Sequence, residues 1–278
     1  MRGDGSFGMS LKLTVLVPAS LVAETDDARD ATVKVGQVAR AAAIFRCDKV
    51  VVYEDADRHK DDGDFVVEVL RYMATPPYLR KTVFDRRDEL RYVGVLPPLG
   101  TPLHSVTTGS DPEGSEPEYR EGVVTKVGTD GRVWVNCGTQ HPVALRVPEQ
   151  GIREGERVTL RVSSREPLRA EIAEDADSPY GGYEVERASL DDWLDSFDGV
   201  AACTSRRGKE VELSDLRADS LALVFGSPER GVHEILRERD ASVEFDHVVN
   251  TVPSQGTATV RTEEAVLATL ALTNIANR

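Results

Sequence analysis

Two apolar runs near the end of the chain, each cut off by a glycine-containing turn, restrict the fold more than any other feature. Residues 221–225 (LALVF) stop at Gly226-Ser227-Pro228-Glu229-Arg230-Gly231, and residues 247–250 (HVVN) stop at Thr251-Val252-Pro253-Ser254-Gln255-Gly256. Short unbroken apolar runs bounded by turn residues suit strands buried on both faces of a parallel sheet. Side by side, such strands open a crevice at their carboxyl ends, where ligands bind in open α/β sheets. Thr257-Ala258-Thr259-Val260-Arg261-Thr262-Glu263-Glu264 then leads into an Ala/Leu-rich helix. Thr262 is its expected N-cap, and Glu263 and Glu264 sit favourably in its first turn.

The beginning of the chain follows the same rhythm. Residues 11–17 (LKLTVLV) and 49–53 (KVVVY) read as strands, and Val35, Val38, Ala42 and Phe45 between them recur at helical spacing. A crossover this short implies a parallel pair with a right-handed connection. An Asp-rich loop (54–64) follows, then a second helix marked by Val66, Val69, Leu70 and Met73 that stops before Pro76-Pro77. Residues 92–96 (YVGVL) read as a third strand. Residues 105–118 are a linker by composition.

The pattern then changes to five short strands without a helix: 122–127, 132–135, 143–147, 157–163 and 168–172, with Asp130-Gly131 marking a hairpin. Such spacing predicts a small, OB-like β-barrel. An acidic linker (174–178) closes it, and the α/β rhythm resumes with strands at 183–186, 200–203, 221–225 and 247–250 and short helices at 190–194 and 231–236. The expected organisation is a leader (1–10), an α/β domain made of 11–104 and 179–278, and an inserted β module with its linkers (105–178).

The net charge of −14 argues against a nucleic-acid partner at first. Only seven of the 34 basic residues are lysine, and the rest are arginine. Acid-rich, Lys-poor surfaces suit molar salt, where the Debye length is about 3 Å. The acidity then reads as a halophile's solubility adaptation, under which a local Arg cluster still holds phosphate. The leader lacks a signal peptide's apolar segment and no run is long enough to span a bilayer, which points to the cytoplasm and no membrane partner. Cys47, Cys137 and Cys203 are far apart, the five His are scattered, and the expectation is buried thiols and no metal.

Three glycine-containing loops follow predicted strands: 204–208 (TSRRG), 226–231 and 251–257. Each alone reads as a plain turn sooner than as a ligand loop, and all three at consecutive strand ends are stronger evidence together. None is G-x-G-x-x-G or a phosphate-cradling P-loop, which disfavours a dinucleotide or ATP site. Lys34, Gly36 and Arg40 lie on the first helix. Thr75-Pro76-Pro77-Tyr78-Leu79-Arg80-Lys81, with Arg86, Arg87 and Arg91, is the most basic stretch. It suits a phosphate backbone, or equally ion pairing with Asp85, Asp88 and Glu89. No catalytic triad, G-x-S-x-G or H-E-x-x-H occurs.

The runs CTSRRG, LVFGSPERG and VVNTVPSQGTATVRTEEAVLATLALTN, with VKVGQVARAAAIF and TPPYLRK nearer the start, resemble the SPOUT (α/β-knot) methyltransferases. The resemblance is to the RNA methyltransferase branch shared by archaea and eukaryotes, whose knotted domain is interrupted by an OB-like module. It covers 11–104 and 179–278. It implies an α/β fold with a trefoil knot in a parallel sheet, an S-adenosylmethionine pocket and a homodimer.

It further implies cofactor contacts at Thr204, Gly226, Ser227, Gln255, Gly256 and Val260, with Thr257, Thr259 and Glu263 as secondary candidates. Gly36 and the catalytic candidate Arg40 match positions that approach the target nucleotide. Lys34, Arg80 and Lys81 are the expected RNA contacts, with Tyr119 and Trp134 as stacking aromatics of the β module. The chain carries Thr32 and Lys34 where many relatives have Asn before that Gly. The activity implied is methyl transfer to rRNA or tRNA, at a base nitrogen or a ribose hydroxyl. The alternatives are a non-catalytic RNA-binding assembly factor of the same fold, and a nucleotide-dependent enzyme with an ordinary doubly wound sheet.

Overall fold

The computed structural model describes residues 11–55, 60–104, 118–147, 151–165, 168–173, 179–227, 230–238 and 243–278. In chain order they form β1 (Lys12–Pro18), α1 (Ala28–Ile44), β2 (Lys49–Tyr53), α2 (Lys60–Ala74), α3 (Arg80–Val83), β3 (Glu118–Val127), β4 (Arg132–Asn136), β5 (Val143–Arg146), β6 (Arg157–Arg165), β7 (Leu168–Ile172), β8 (Glu184–Ala188), α4 (Leu190–Asp195), β9 (Val200–Glu210), β10 (Ser220–Val224), α5 (Val232–Glu238), β11 (His247–Asn250) and α6 (Thr262–Ala276). These divide into two compact units. The first takes the described residues through Arg71, with Tyr92–Leu96 and Tyr183–Arg278; the second takes Tyr72–Arg91 and the described residues of Pro97–Gly182.

The first unit is built on a six-stranded sheet in the order β11-β9-β10-β1-β2-β8. Every neighbouring pair is parallel. The central strands are buried on both faces: Val15, Leu16 and Val17 of β1, Val50, Val51 and Val52 of β2, and Leu221 through Val224 of β10 are wholly inaccessible. Each of the Val and Leu side chains among them contributes roughly 1.5–3 kcal/mol on burial, and this explains why these segments read as unbroken apolar runs. α1 packs along α6. Asp27 caps α1, its carboxylate accepting from the Asp30 N–H at 2.9 Å.

Three local expectations change. Residues 92–96 do not form a strand; Val93–Val95 turn in a 3-10 conformation. The edge position beside β2 belongs to β8 instead, paired Lys49 to Glu184 through Tyr53 to Ala188. Leu96 lies on α1 at Gly36, where an added methyl would sit 2.4 Å from Leu96 Cδ2. The apolar run thus serves helix packing, which local hydrophobicity alone does not separate from strand pairing. The Asp-rich stretch is not loop throughout, because α2 already begins at Lys60 and Asp64 pairs with Arg187. The N-cap of α6 is Arg261, one residue earlier than expected; its N–H is met by Glu264 Oε2 at 2.8 Å, freeing the Thr262 hydroxyl for another partner.

The second unit carries a five-stranded antiparallel sheet in the order β5-β4-β3-β6-β7, and its two edge strands β5 and β7 lie against each other. Gly131, at φ +74°, makes the β3–β4 hairpin turn as its sequence suggested. Inside are Val124, Val133, Val135, Cys137, Leu145 and Leu160. The unit takes in more than the 105–178 stretch read from composition. The Tyr78 hydroxyl lies between Leu103 O (3.1 Å) and Glu121 O (3.0 Å), sharing its one proton with them, and Gly138 lies against its ring, where a methyl would come within 2.6 Å of Cδ2. The linkers at 105–117 and 174–178 and the leader 1–10 lie outside the described residues.

Candidate active site

The three loops singled out in the sequence all leave the sheet on the carboxyl side of parallel strands, and hydrogen bonds join them. In the β9–β11 pair the register jumps from Cys203–Val248 to Lys209–Val249. Residues 204–208 therefore bulge out of the ladder before β9 rejoins it. Gly208 makes that return possible: a methyl there would lie 2.6 Å from the Val249 carbonyl carbon and 2.8 Å from Val248 O.

From the bulge, Thr204 donates its hydroxyl to Val224 O at the end of β10 (3.0 Å). Arg206 Nη1 reaches Ala258 O in the last loop (3.2 Å), and Asn250 Nδ2 returns to Arg206 O (3.2 Å). Thr262 Oγ1, the first residue of α6, donates to Gly226 O (2.9 Å). The bulge is bonded to the end of β10 and to the last loop, and the start of α6 is tied to the 226 turn.

Within the 226 turn, Gly226 is forced by close packing, since a methyl would sit 2.7 Å from Arg230 O. The Ser227 hydroxyl accepts from the Arg230 N–H at 3.1 Å. The Arg230 guanidinium holds Glu238 at 2.7 Å and the wholly buried Asp55 at 2.9 Å. Asp55, at the end of β2, also accepts from the Ser20 N–H (3.0 Å) and the Ser20 hydroxyl. The ends of β1, β2 and β10 are thereby fastened to one another.

The last loop is held differently. Ser254 lies at φ +57°, and the Gln255 side-chain amide donates to Thr257 O (2.9 Å) and Ala258 O (3.2 Å). The Thr257 hydroxyl donates to Thr259 O at 2.9 Å. Gly256 has no atom within 4 Å of where a methyl would go, and its φ is ordinary. Neither packing nor backbone strain inside the chain requires glycine there. Val260 is half-buried just before α6.

Lys34 is 5% exposed on α1, its ammonium between Glu24 and Glu263, the latter at 3.5 Å. Its charge is met inside the chain, where it ties α1 to the first turn of α6. Glu263 is 6% exposed and its Oε2 accepts no hydrogen bond among the described residues. Lys34 and Glu263 stand 229 positions apart, and no spacing rule links residues so distant in the chain. Arg40 is half-buried one turn beyond Gly36.

In the second unit, Arg80 lies over the Tyr72 ring at 4.4 Å and donates to Thr75 O at 3.0 Å. It thereby closes the end of α2, while Lys81 is exposed. The three thiols are buried, and burial pushes Cys203 up to about 12 and raises Cys47 and Cys137. None is primed as a nucleophile. Among the described residues no cluster of three or more His, Cys, Asp or Glu is arranged to hold a metal, and no helix is long and apolar enough to cross a membrane.

The family model described as "Putative RNA methyltransferase" matches residues 12–273, spanning both units. The chain belongs to this family. It is an RNA methyltransferase by that membership. It is 50% identical to an uncharacterised protein of Halobacterium salinarum, over 92% of this chain and 96% of that one. It is also 31% identical to a mouse protein named 28S rRNA (uridine-N(3))-methyltransferase, over 95% of this chain and 76% of that one. The human protein of the same name is 30% identical, over 95% and 78%. A solved RNA 2'-O ribose methyltransferase overlays at a TM-score of 0.39 with 11% identity, covering 98% of this chain and 59% of that one.

Proposed function

We propose that this enzyme transfers a methyl group from S-adenosylmethionine to N3 of a uridine in large-subunit ribosomal RNA. The likeness to the mouse and human proteins named for that reaction, over 95% of this chain, carries the choice of acceptor. Support for a cofactor in the three loops comes from Gly256, whose lack of a side chain has no internal reason and leaves its backbone open to close approach by a ligand.

Bound S-adenosylmethionine would supply a methyl group made electrophilic by its sulfonium. Residues of this chain bind and orient. Thr204, Gly226, Ser227, Gln255, Gly256, Thr257 and Val260 hold the cofactor, with the Arg206–Ala258 and Thr262–Gly226 hydrogen bonds keeping the loops in register. Methylation at N3 would leave S-adenosylhomocysteine as the leaving group and release the imide proton to water, so negative charge develops on the uracil oxygens as that proton departs. Arg40 on α1 stabilises that charge; a guanidinium stays protonated and is not the base. The Glu24–Lys34–Glu263 cluster positions α1 against α6 rather than touching RNA, and Lys81 offers an exposed cation to phosphate.

In the same reading the segment between β11 and α6 is the threaded part of a trefoil knot, which its hydrogen bond to the 204–208 bulge and the bond from the first residue of α6 to the 226 turn support. The second unit is an OB-like barrel, supported by its strand order and the approach of β5 to β7. Ile44 on α1 and Leu267 and Ile275 on α6 are each about half exposed on helices otherwise packed together. A homodimer through that apolar surface follows.

The test is methyl transfer to large-subunit RNA from a strain lacking the gene, with nucleoside mass spectrometry of the product. 3-Methyluridine is the expected product, and Arg40→Ala lowers its yield at least tenfold. Ribose methylation, or equal yield from Arg40→Ala, overturns the acceptor or the role of Arg40 respectively.

A further inference from the structure

One surface of the second unit's sheet has the opposite sign to the protein as a whole. β4 alternates Val133 and Val135 into the core with Arg132, Trp134 and Asn136 facing out. Register brings Lys126 of β3 opposite Trp134, Ala144 of β5 opposite Trp134 on its other side, and Arg146 directly opposite Arg132. Lys126 Nζ lies 5.2 Å from the centre of the indole. The indole reaches over Gly128, where a methyl would sit 2.7 Å from Trp134 Cζ3. Ala144 is too small to cover the ring's flank.

Like charges directly opposite on adjacent strands cost stability, yet Arg132 faces Arg146 in a chain of net charge −14. Among the described residues, none of Lys126, Arg132 and Arg146 has a carboxylate within ion-pair distance. Asp130 lies beside Gly128, and Glu154 accepts from the Val127 N–H at 3.1 Å. On the same sheet, Arg120, Arg157 and Arg161 each hold a glutamate. Among the described residues, cations without a paired carboxylate therefore surround a half-exposed indole on this face.

We propose that this face binds a single-stranded stretch of the RNA substrate, with a base stacked on Trp134 and phosphates held by Lys126, Arg132 and Arg146. The choice of RNA rests on the methyltransferase reading. The chemistry required is a flat π-surface flanked by anions, which a base with its neighbouring phosphates supplies. A run of Asp and Glu offers the charge but no ring.

The chain has two tryptophans, so Trp193→Phe leaves Trp134 as the sole fluorescent reporter. Titration uses a uridine-rich single-stranded RNA octamer, at salt concentrations where the protein is folded. Saturable quenching is expected, with affinity falling with salt at a log–log slope of about −2, as three phosphate contacts give at about 0.7 each. In the wild-type background, Trp134→Leu lowers octamer affinity by anisotropy about tenfold, in line with loss of one stacked base, and Trp134→Phe recovers part of it. Arg132→Glu with Arg146→Glu flattens the slope to about −0.7.

Unmoved fluorescence while RNA binds, or equal affinity in Trp134→Leu, overturns the proposal. So does equal quenching by polyglutamate, which would make this a protein-docking face. Cofactor binding and methyl transfer are measured in parallel. A protein that transfers no methyl but loses RNA with Trp134 refutes the assigned reaction and leaves this surface standing. One that methylates and keeps octamer affinity in Trp134→Leu does the reverse.

Discussion

Alanine at Gly256 and alanine at Gly208 separate ligand contact from folding. At Gly256 the added methyl meets nothing within 4 Å, and the backbone conformation accepts any residue. Stability should hold or rise by about 0.4–1 kcal/mol, because alanine restricts the unfolded chain. With a cofactor against that backbone, the same methyl intrudes on a filled contact, at about 1–3 kcal/mol. That is about a 5- to 150-fold loss of affinity.

At Gly208 the methyl would meet backbone, 2.6 Å from the Val249 carbonyl carbon and 2.8 Å from Val248 O and Val249 N. Backbone cannot step aside without opening the β9–β11 ladder, so the loss of stability should reach or exceed about 1–3 kcal/mol. Gly226→Ala, at 2.7 Å from Arg230 O, should lower both quantities. Urea denaturation and calorimetric titration with S-adenosylmethionine, in one buffer, give the two readouts. If Gly256→Ala binds as the wild type does, the last loop is not a cofactor loop. If it unfolds more easily, the assignment of Gly256 as unconstrained by its own fold is wrong.

Lys34→Met should destabilise the first unit by about 3–5 kcal/mol, read as a lower urea midpoint, because it strands the Glu24 and Glu263 carboxylates without their cation. His104 is buried, and burial, with Arg80 and Arg157 nearby, lowers its pKa to about 4, from 6.5 when unfolded. The unfolded chain then binds the extra proton first, so stability present above pH 6.5 is lost as pH falls toward about 4, by about 3 kcal/mol in all. His104→Gln should remove that part of the pH slope in denaturation curves, and an unchanged slope refutes the assignment. Native protein at pH 8 should resist thiol reagents until unfolded, since all three cysteines are buried with raised pKa values; rapid labelling without denaturant would contradict this.

What could be read from residues alone was whatever depends on neighbours along the chain. Unbroken apolar runs marked β1, β2 and β10, because a strand covered on both faces has no polar side to show. Asp130-Gly131 marked its hairpin, because positive φ selects glycine locally. Proline after Thr75 ended α2 by removing an amide. The glycine loops were visible as loops, and the likeness of their residues to a known family named the chemistry.

Only tertiary structure decided matters that depend on who stands beside whom. It gave the place next to β2 to β8 and laid residues 92–96 on α1, although YVGVL and EVERA compete for that edge with nothing local to rank them. It enclosed Lys34 between two glutamates, one of them 229 positions further along, turning an expected surface cation into an internal strut. It also set Arg132 against Arg146 around Trp134, since strand register is fixed by the turn and the core rather than by the outward-facing residues it brings together.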